Sequence, residues 1–292
     1  MSDVYQKGCH GFVVQWLQQK LGCGADGDFG NGTKNAIMKL QQDNNLPVTG
    51  EAGENVFKLL GLPFPTDFER VLNLVAEYEG TGFDKAEGPH ETGDDAGITW
   101  GIIGFTSNNG EIQEMLQPLL LANPQLAETG VSTLGGRWNE FMDCIQSTSQ
   151  HALANAFLDG GRVTPALKAL MKEWGNDPIV QKAQLDRAEG VYWAKAKKSW
   201  LRMYKGEPSL RGKGIVYDTC VQNGLPESVI RTVVSETQNI TKEEDISTTL
   251  LNATLNRISA RYHRDVISRK RTYIDGQGTV HGSFYDLDNY AL

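Results

Sequence analysis

Glu79 and Asp94 are the pair of acids in this chain best spaced to do chemistry together. Glu79 sits in Ala76-Glu-Tyr-Glu-Gly80. Asp94 opens the glycine-rich run Gly93-Asp-Asp-Ala-Gly-Ile-Thr-Trp-Gly-Ile-Ile-Gly-Phe105. Cleaving a glycosidic bond takes one carboxyl group to protonate the leaving oxygen. It takes a second to activate water or stabilise the developing cation. The same region also holds Glu77, Asp84, Glu87, Glu91 and Asp95, so spacing alone does not single out the pair.

The flanking residues say how each acid would be held. Asp67 is expected to cap a helix carrying Val71, Leu72, Leu74, Val75 and Tyr78. Glu79 would end that helix beside Tyr78 and Phe83. Partial burial there favours the protonated form that a general acid needs. Asp94 falls in a polar loop flanked by glycine, where solvent and backbone N–H groups would keep it ionised.

The chain has 292 residues, 39% of them apolar and 22% charged, which is enough for one large domain or two. A net charge of −8 argues against nucleic acid as the main partner and against electrostatic attachment to an anionic membrane. No run approaches the ~18 apolar residues of a spanning helix. The N-terminal segment lacks the apolar core of a secretory signal. Cys9, Cys23, Cys144 and Cys220 fit neither a disulfide framework nor a zinc site and read as free thiols. No metal site, phosphate loop or cofactor is expected.

Residues 1–62 read as a small module of three short helices. Phe12, Val13, Trp16, Leu17 and Leu21 form an amphipathic stripe. Ala25-Asp-Gly-Asp-Phe-Gly-Asn-Gly-Thr33 then turns the chain into a second helix with Ala36, Ile37 and Leu40 inside. Thr49-Gly-Glu-Ala-Gly-Glu-Asn55 repeats the turn in degenerate form. Gly61-Leu-Pro-Phe-Pro-Thr-Asp67 marks the boundary, and residues 66–292 form the larger part.

That part reads as mostly helical. Asp177-Pro178 starts a long, largely buried helix through Ala196, interrupted by Gly190. Leu250–Ile274 reads as another helix. Ile98–Phe105 and Thr279–Tyr285 are the candidate extended segments. No βαβ alternation is present, which excludes a parallel-sheet enzyme.

Two resemblances sharpen this picture. Gly8…Val14-Gln-Trp-Leu-Gln18…Asp26-Gly-Asp-Phe-Gly30…Thr33…Leu40-Gln41…Gly50…Gly53 resembles the peptidoglycan-binding domain of cell-wall hydrolases. Leu40 stands where an aromatic is usual and Glu51 where Asp is common. The segments around Glu79, Gly93–Phe105 and Asn109–Leu116 resemble the chitosanases of glycoside hydrolase family forty-six, within the lysozyme-like group. Gln181–Tyr192, Val216–Gly224 and Arg269–Gly276 extend the similarity.

The second resemblance implies roles. Glu79 becomes the catalytic acid, Asp94 the base, Thr99 a holder of the attacking water, and Glu111 a substrate-contacting acid. Asp218 joins an ionic network behind the acid, with Arg271 as its arginine and Arg257 or Arg261 as a second. Ala96 replaces an arginine, the Glu-to-Asp interval of fifteen residues is shorter, and Gln222-Asn223 replaces a Met-His pair. These departures count against chitosan as the substrate.

Together the resemblances imply a mostly α protein. A three-helix binding domain precedes a lysozyme-like α+β catalytic domain with a cleft between two lobes. The implied activity is an inverting, muramidase-type endolysin that cuts the β-1,4 bonds of peptidoglycan glycan strands. A chitosanase with a wall-binding module, a lytic transglycosylase and a non-catalytic wall binder are the alternatives. The missing signal implies a bacteriophage protein, monomeric and without stable membrane association. It would be made in the host cytoplasm and released through a holin-type lesion to the periplasmic wall.

Overall fold

The computed structural model describes residues 4–80 and 82–292. The first three residues and Thr81, next to the Ala76–Gly80 segment, lie outside the described residues. The chain divides into two compact units. One comprises Met1–Tyr78 with Tyr192–Leu292, and the other Glu79–Val191.

The first unit opens with helices α1 (Phe12–Leu21), α2 (Asn31–Asp43), α3 (Glu54–Leu59) and α4 (Asp67–Glu79). The two glycine turns between the first three are built alike, twenty-three residues apart. Buried Gln18 donates to Asp26 Oδ1 at 2.8 Å, Asp28 O at 3.0 Å and Thr33 Oγ1 at 3.0 Å, and accepts from Gly27 N at 2.8 Å. Buried Gln41 donates to Thr49 Oγ1 at 3.1 Å and Glu51 O at 2.9 Å, and accepts from Gly50 N at 2.9 Å. Gly27 and Gly50 have φ of 83° and 75°, a region that side chains resist. Each glutamine replaces the hydrogen bonds the turn backbone cannot make with itself.

The start of α4 differs from expectation. Thr66, not Asp67, is the cap. Its Oγ1 accepts from Glu69 N at 3.2 Å while Glu69 Oε2 accepts from Thr66 N at 2.8 Å, a reciprocal capping box. Asp67 instead pairs with Lys213 at 2.7 Å. Buried Asn73 of α4 reaches the 1–62 segment, donating to His10 O at 2.7 Å and accepting from Val13 N at 3.3 Å. His10 N in turn donates to Asn289 O at 3.1 Å. Residues of the 1–62 segment are therefore stitched to α4 and to the C-terminal end.

The second unit contains β1 (Ala86–Glu87), α5 (Pro89–Thr92), β2 (Thr99–Trp100), β3 (Phe105–Thr106), α6 (Glu111–Ala122), α7 (Pro124–Leu134), α8 (Trp138–Gln146), α9 (Ala152–Phe157), β4 (Leu158–Asp159), β5 (Arg162–Val163), α10 (Pro165–Gly175) and α11 (Pro178–Arg187). Strands β1, β2 and β3 form an antiparallel sheet in that order, with Glu87 and Thr106 both opposite Thr99. The expected extended run at 98–105 is thus a tight reversal. Gly101 (φ 87°) and Gly104 (φ 69°) turn it, closed by Gly104 N to Gly101 O at 2.9 Å. The core holds Trp100, Ile112, Leu116, Phe141, Phe157, Leu170 and Trp174, and Trp100 Nε1 donates to Met171 O at 3.1 Å.

A π-helical turn, Ala188–Trp193, follows α11 and contains Gly190. The rest of the first unit follows as α12 (Ala194–Met203), α13 (Leu210–Asn223), α14 (Glu227–Glu236), α15 (Glu243–Leu255), α16 (His263–Asp275) and the hairpin β6 (Gln277–Val280) and β7 (Ser283–Asp286). Two expectations are corrected. The helix after Pro178 is not largely buried, since Ile179 and Val191 are exposed. The 250–274 segment is two helices. Asn256 and Ser259 fall in the break, residue types whose side chains compete with helical hydrogen bonding. Aromatic rings fill this core: Trp193 lies 4.9 Å from Trp200 and 5.5 Å from Tyr217. The fold is mostly helical with small sheets.

Candidate active site

Four of the six singled-out residues, Glu79, Asp94, Thr99 and Glu111, fall in the second unit. Asp218 and Arg271 fall in the first. Glu79 is the last residue of α4 and is half-buried. The apolar face of α4 fixes where the helix lies, and Glu79 is carried at its end.

Asp94 is exposed, in the loop between α5 and β2. Its Oδ1 accepts from Thr92 Oγ1 at 2.9 Å and from the backbone N–H of Ala96 at 3.1 Å. Both donors fix the position of this oxygen. Gly97 closes the loop at φ 77°. A Cβ there would lie 2.4 Å from Ser107 Oγ and from Asn108 Oδ1. Only glycine fits, because Ser107 must donate its space to the loop: its Oγ accepts from Ile98 N at 2.8 Å.

Thr99 stands on the central strand β2. Its Oγ1 is buried and has no hydrogen-bond partner among the described residues, an uncommon state for a buried hydroxyl. Glu111 is the first residue of α6 and 9% exposed. Its Oε2 accepts from Thr106 N at 2.9 Å and Thr106 Oγ1 at 3.0 Å, so this carboxylate joins the sheet to the helix start.

Asp218 lies fully buried on α13, and its partners differ from those expected. Arg269 and Lys270 of α16 hold it, Lys270 Nζ at 2.5 Å from Oδ2 and Arg269 Nε at 3.1 Å from Oδ1. Burial pushes this carboxyl up, but Arg269 and Lys270 outweigh it and hold it below its ordinary value. Arg271 is exposed on another face of α16, and Arg257 and Arg261 are exposed as well. The residue facing Asp218 is set by helical phase: Arg269, Lys270 and Tyr273 turn inward and Arg271 turns out.

The network continues. Lys270 Nζ donates to Gln222 Oε1 at 2.6 Å, Gln222 Nε2 to Asp265 Oδ2 at 2.6 Å, and Asp265 Oδ1 lies 2.6 Å from His281 Nε2. Sequence reasoning noted Gln222 only as a departure. The structure makes it the link between the buried pair and the surface. The guanidinium of Arg269 also lies over the Tyr78 ring, 5.2 Å from its centroid. The sequence assigned no site role to Thr92, Arg269, Lys270 or Gln222, although Arg269, Lys270 and Gln222 lie inside the segments Arg269–Gly276 and Val216–Gly224 that resemble the family.

No group of three or more His, Cys, Asp or Glu side chains among the described residues could hold a metal ion. No helix among them is long and apolar enough to cross a membrane. All four cysteines are free.

Residues 13–60 match the family model described as a putative peptidoglycan binding domain. No curated protein sequence matches the chain. Among solved structures, the native chitosanase from Bacillus subtilis MY002 is similar, with a TM-score of 0.53, 15% identity, and coverage of 76% of this chain and 96% of that one. A chitosanase complex gives a TM-score of 0.55 at 16% identity over 75% and 95%. The GH46 chitosanase of Gynuella sunshinyii in complex with chitotetraose gives 0.52 at 15% over 76% and 97%. The chain joins a segment matching a peptidoglycan-binding domain to the lysozyme-like fold of these chitosanases.

Proposed function

We propose that this protein hydrolyses the β-1,4 glycosidic bonds of bacterial peptidoglycan as a muramidase-type endolysin. The carrying observation is the union, in one chain, of a segment matching a peptidoglycan-binding domain with a chitosanase-like fold. A wall-bound module raises the concentration of glycan strands at the attached enzyme.

In this reading Glu79 gives its proton to the glycosidic oxygen as the bond to the anomeric carbon breaks. Asp94, held in place by Thr92 Oγ1 and the Ala96 N–H, takes a proton from water as that water attacks the same carbon. The unpaired Thr99 hydroxyl helps hold the water. One bond forms, one breaks, and the product carries a new reducing end with inverted configuration. Host-cytoplasmic synthesis followed by release to the wall belongs to the same reading.

The test is digestion of purified sacculi, with reducing-end analysis and mass spectrometry of the fragments. Intact protein is expected to yield reducing N-acetylmuramic acid ends. Glu79→Gln and Asp94→Asn are expected to lose activity by at least a thousandfold. Anhydro ends would replace hydrolysis by transglycosylation, and unchanged activity in Glu79→Gln would overturn the assignment. A second reading, a chitosanase carried on a wall-binding module, is favoured by the fold likeness itself. Turnover of chitosan with none of sacculi would select it.

A further inference from the structure

We propose that the β4–β5 hairpin clamps helix α5 and through it aims Asp94, with Arg162 as a positioning residue. The inference rests on the reading of Asp94 as the base and deepens it by naming what holds that residue in line.

Helix α5 is one turn of four residues. A single turn fixes many dihedrals for very few hydrogen bonds, so it is ordered by what packs on it. Its last residue, Thr92, makes the 2.9 Å bond to Asp94 Oδ1. Looseness in α5 is therefore passed on to the carboxylate. The far end of the Asp94 loop has its own anchor: Asn108 N donates to Ala96 O at 3.1 Å, and Asn108 Nδ2 to Asp95 O at 2.8 Å. The near end is α5 itself.

The hairpin supplies the hold on α5. His90 N donates to Gly161 O, in the hairpin turn, at 2.9 Å. A Cβ on Gly88 would lie 2.3 Å from that oxygen and 3.0 Å from Leu158 Cδ2, so only glycine permits the approach. Arg162, the next hairpin residue, opens its fork over the helix. Its Nη1 donates to Glu91 Oε1 at 3.0 Å and its Nη2 to His90 Nε2. A guanidinium only donates, so His90 accepts at Nε2 and carries its proton on Nδ1. Glu91 turns its other oxygen back to accept from Gly88 N at 3.1 Å. The Gly88 N–H first, and Arg162 after it, hold the Glu91 carboxyl below its ordinary value. One guanidinium thus fastens two of the four residues of α5, and Thr92 follows them directly. An exposed ion pair adds little to stability. Here it sets the direction of a reacting group, and rates respond steeply to such placement.

The test uses the full chain on soluble peptidoglycan strands or chitosan, whichever the parent turns over. Arg162→Ala is expected to lower kcat about five- to tenfold, with KM within about twofold of the parent. Its Tm is expected to stay near the parent value. Arg162→Lys keeps a charge facing Glu91 and is expected to restore part of the loss. In a Thr92→Val background, Arg162→Ala is expected to cost less than about twofold more, because the route through Thr92 is already cut. A merely structural role would give additive losses. Hydrogen exchange of the 88–97 segment is a second readout that needs no turnover, and Arg162→Ala is expected to speed it. Unchanged exchange overturns the proposal. With Asp94→Asn inactive, so does an unchanged kcat or full additivity with Thr92→Val. Parental turnover by Asp94→Asn overturns the base reading instead, and faster exchange would then leave only the hairpin's hold on α5.

Discussion

Thr92 Oγ1 donates a 2.9 Å hydrogen bond to Asp94 Oδ1, two residues on, and the Ala96 N–H reaches the same oxygen at 3.1 Å. One carboxylate oxygen thus carries both local contacts. Thr92→Val keeps the shape and removes the donor. It is expected to lower kcat/KM on glycan about five- to tenfold, from a hydrogen bond of ~1 kcal/mol, while Thr92→Ser keeps the parent value. Unchanged kcat/KM in Thr92→Val would show that Thr92 does not orient Asp94.

Asp218 ties acid stability to α13 and α16. Its folded carboxyl is held below its ordinary value by Arg269 and Lys270, which outweigh the opposing effect of burial. A carboxyl depressed on folding contributes stability that is fully present above its unfolded value, near ~3.9. That stability is lost as pH falls through the lower folded value. Thermal melts from pH 7 downward are expected to show this loss below about pH 4. Asp218→Asn leaves two buried cations poorly paired and is expected to cost ~3–5 kcal/mol at pH 7. It should also flatten the acid limb of the melts. An unchanged limb would assign acid unfolding to other carboxylates.

Gln18 and Gln41 are expected to act as twin clasps of the binding segment. Replacing either with Ala strands turn groups such as Gly27 N and Gly50 N. Each is expected to destabilise by ~1–3 kcal/mol and to weaken pull-down of the full chain on sacculi. A loss in Gln18→Ala with none in Gln41→Ala would show that only the first turn matters to wall binding.

Gly101 has φ 87°, and a Cβ there would sit 2.4 Å from Gln184 Oε1. That oxygen accepts from Ile102 N at 2.9 Å, while Gln184 Nε2 donates to Phe83 O at 2.9 Å. Gly101→Ala is therefore expected to lose upwards of about 1 kcal/mol and to lower Tm. A Tm equal to the parent's would mean that Gln184 moves aside freely.

Much of this was legible in the linear chain because it is local. Apolar period and turn glycines mark the helices of residues 1–62. The Gly93–Phe105 run marks the acid-bearing loop, and Asp177-Pro178 does begin a helix, with Asp177 Oδ1 accepting from Ile179 N at 2.7 Å. Where neighbours in sequence compete, locality failed: Thr66 took the cap that Asp67 was expected to fill, because Glu69 could close the box with it.

Side-chain type, order and short-range spacing determined by themselves the helical character, the repeated turns and the acids available for chemistry. Tertiary structure alone decided which cations meet Asp218. Three basic residues stand consecutively at 269–271, so composition cannot choose among them. Arg269 and Lys270 face the buried carboxylate, while Arg271 points to solvent. The choice follows from the rotation of α16 against α13, which is set by packing over the whole helix and not by any residue near the pair. Tertiary structure likewise decided that Asp95 lines one pocket with His151 and Asn155, which follow it by more than fifty residues along the chain.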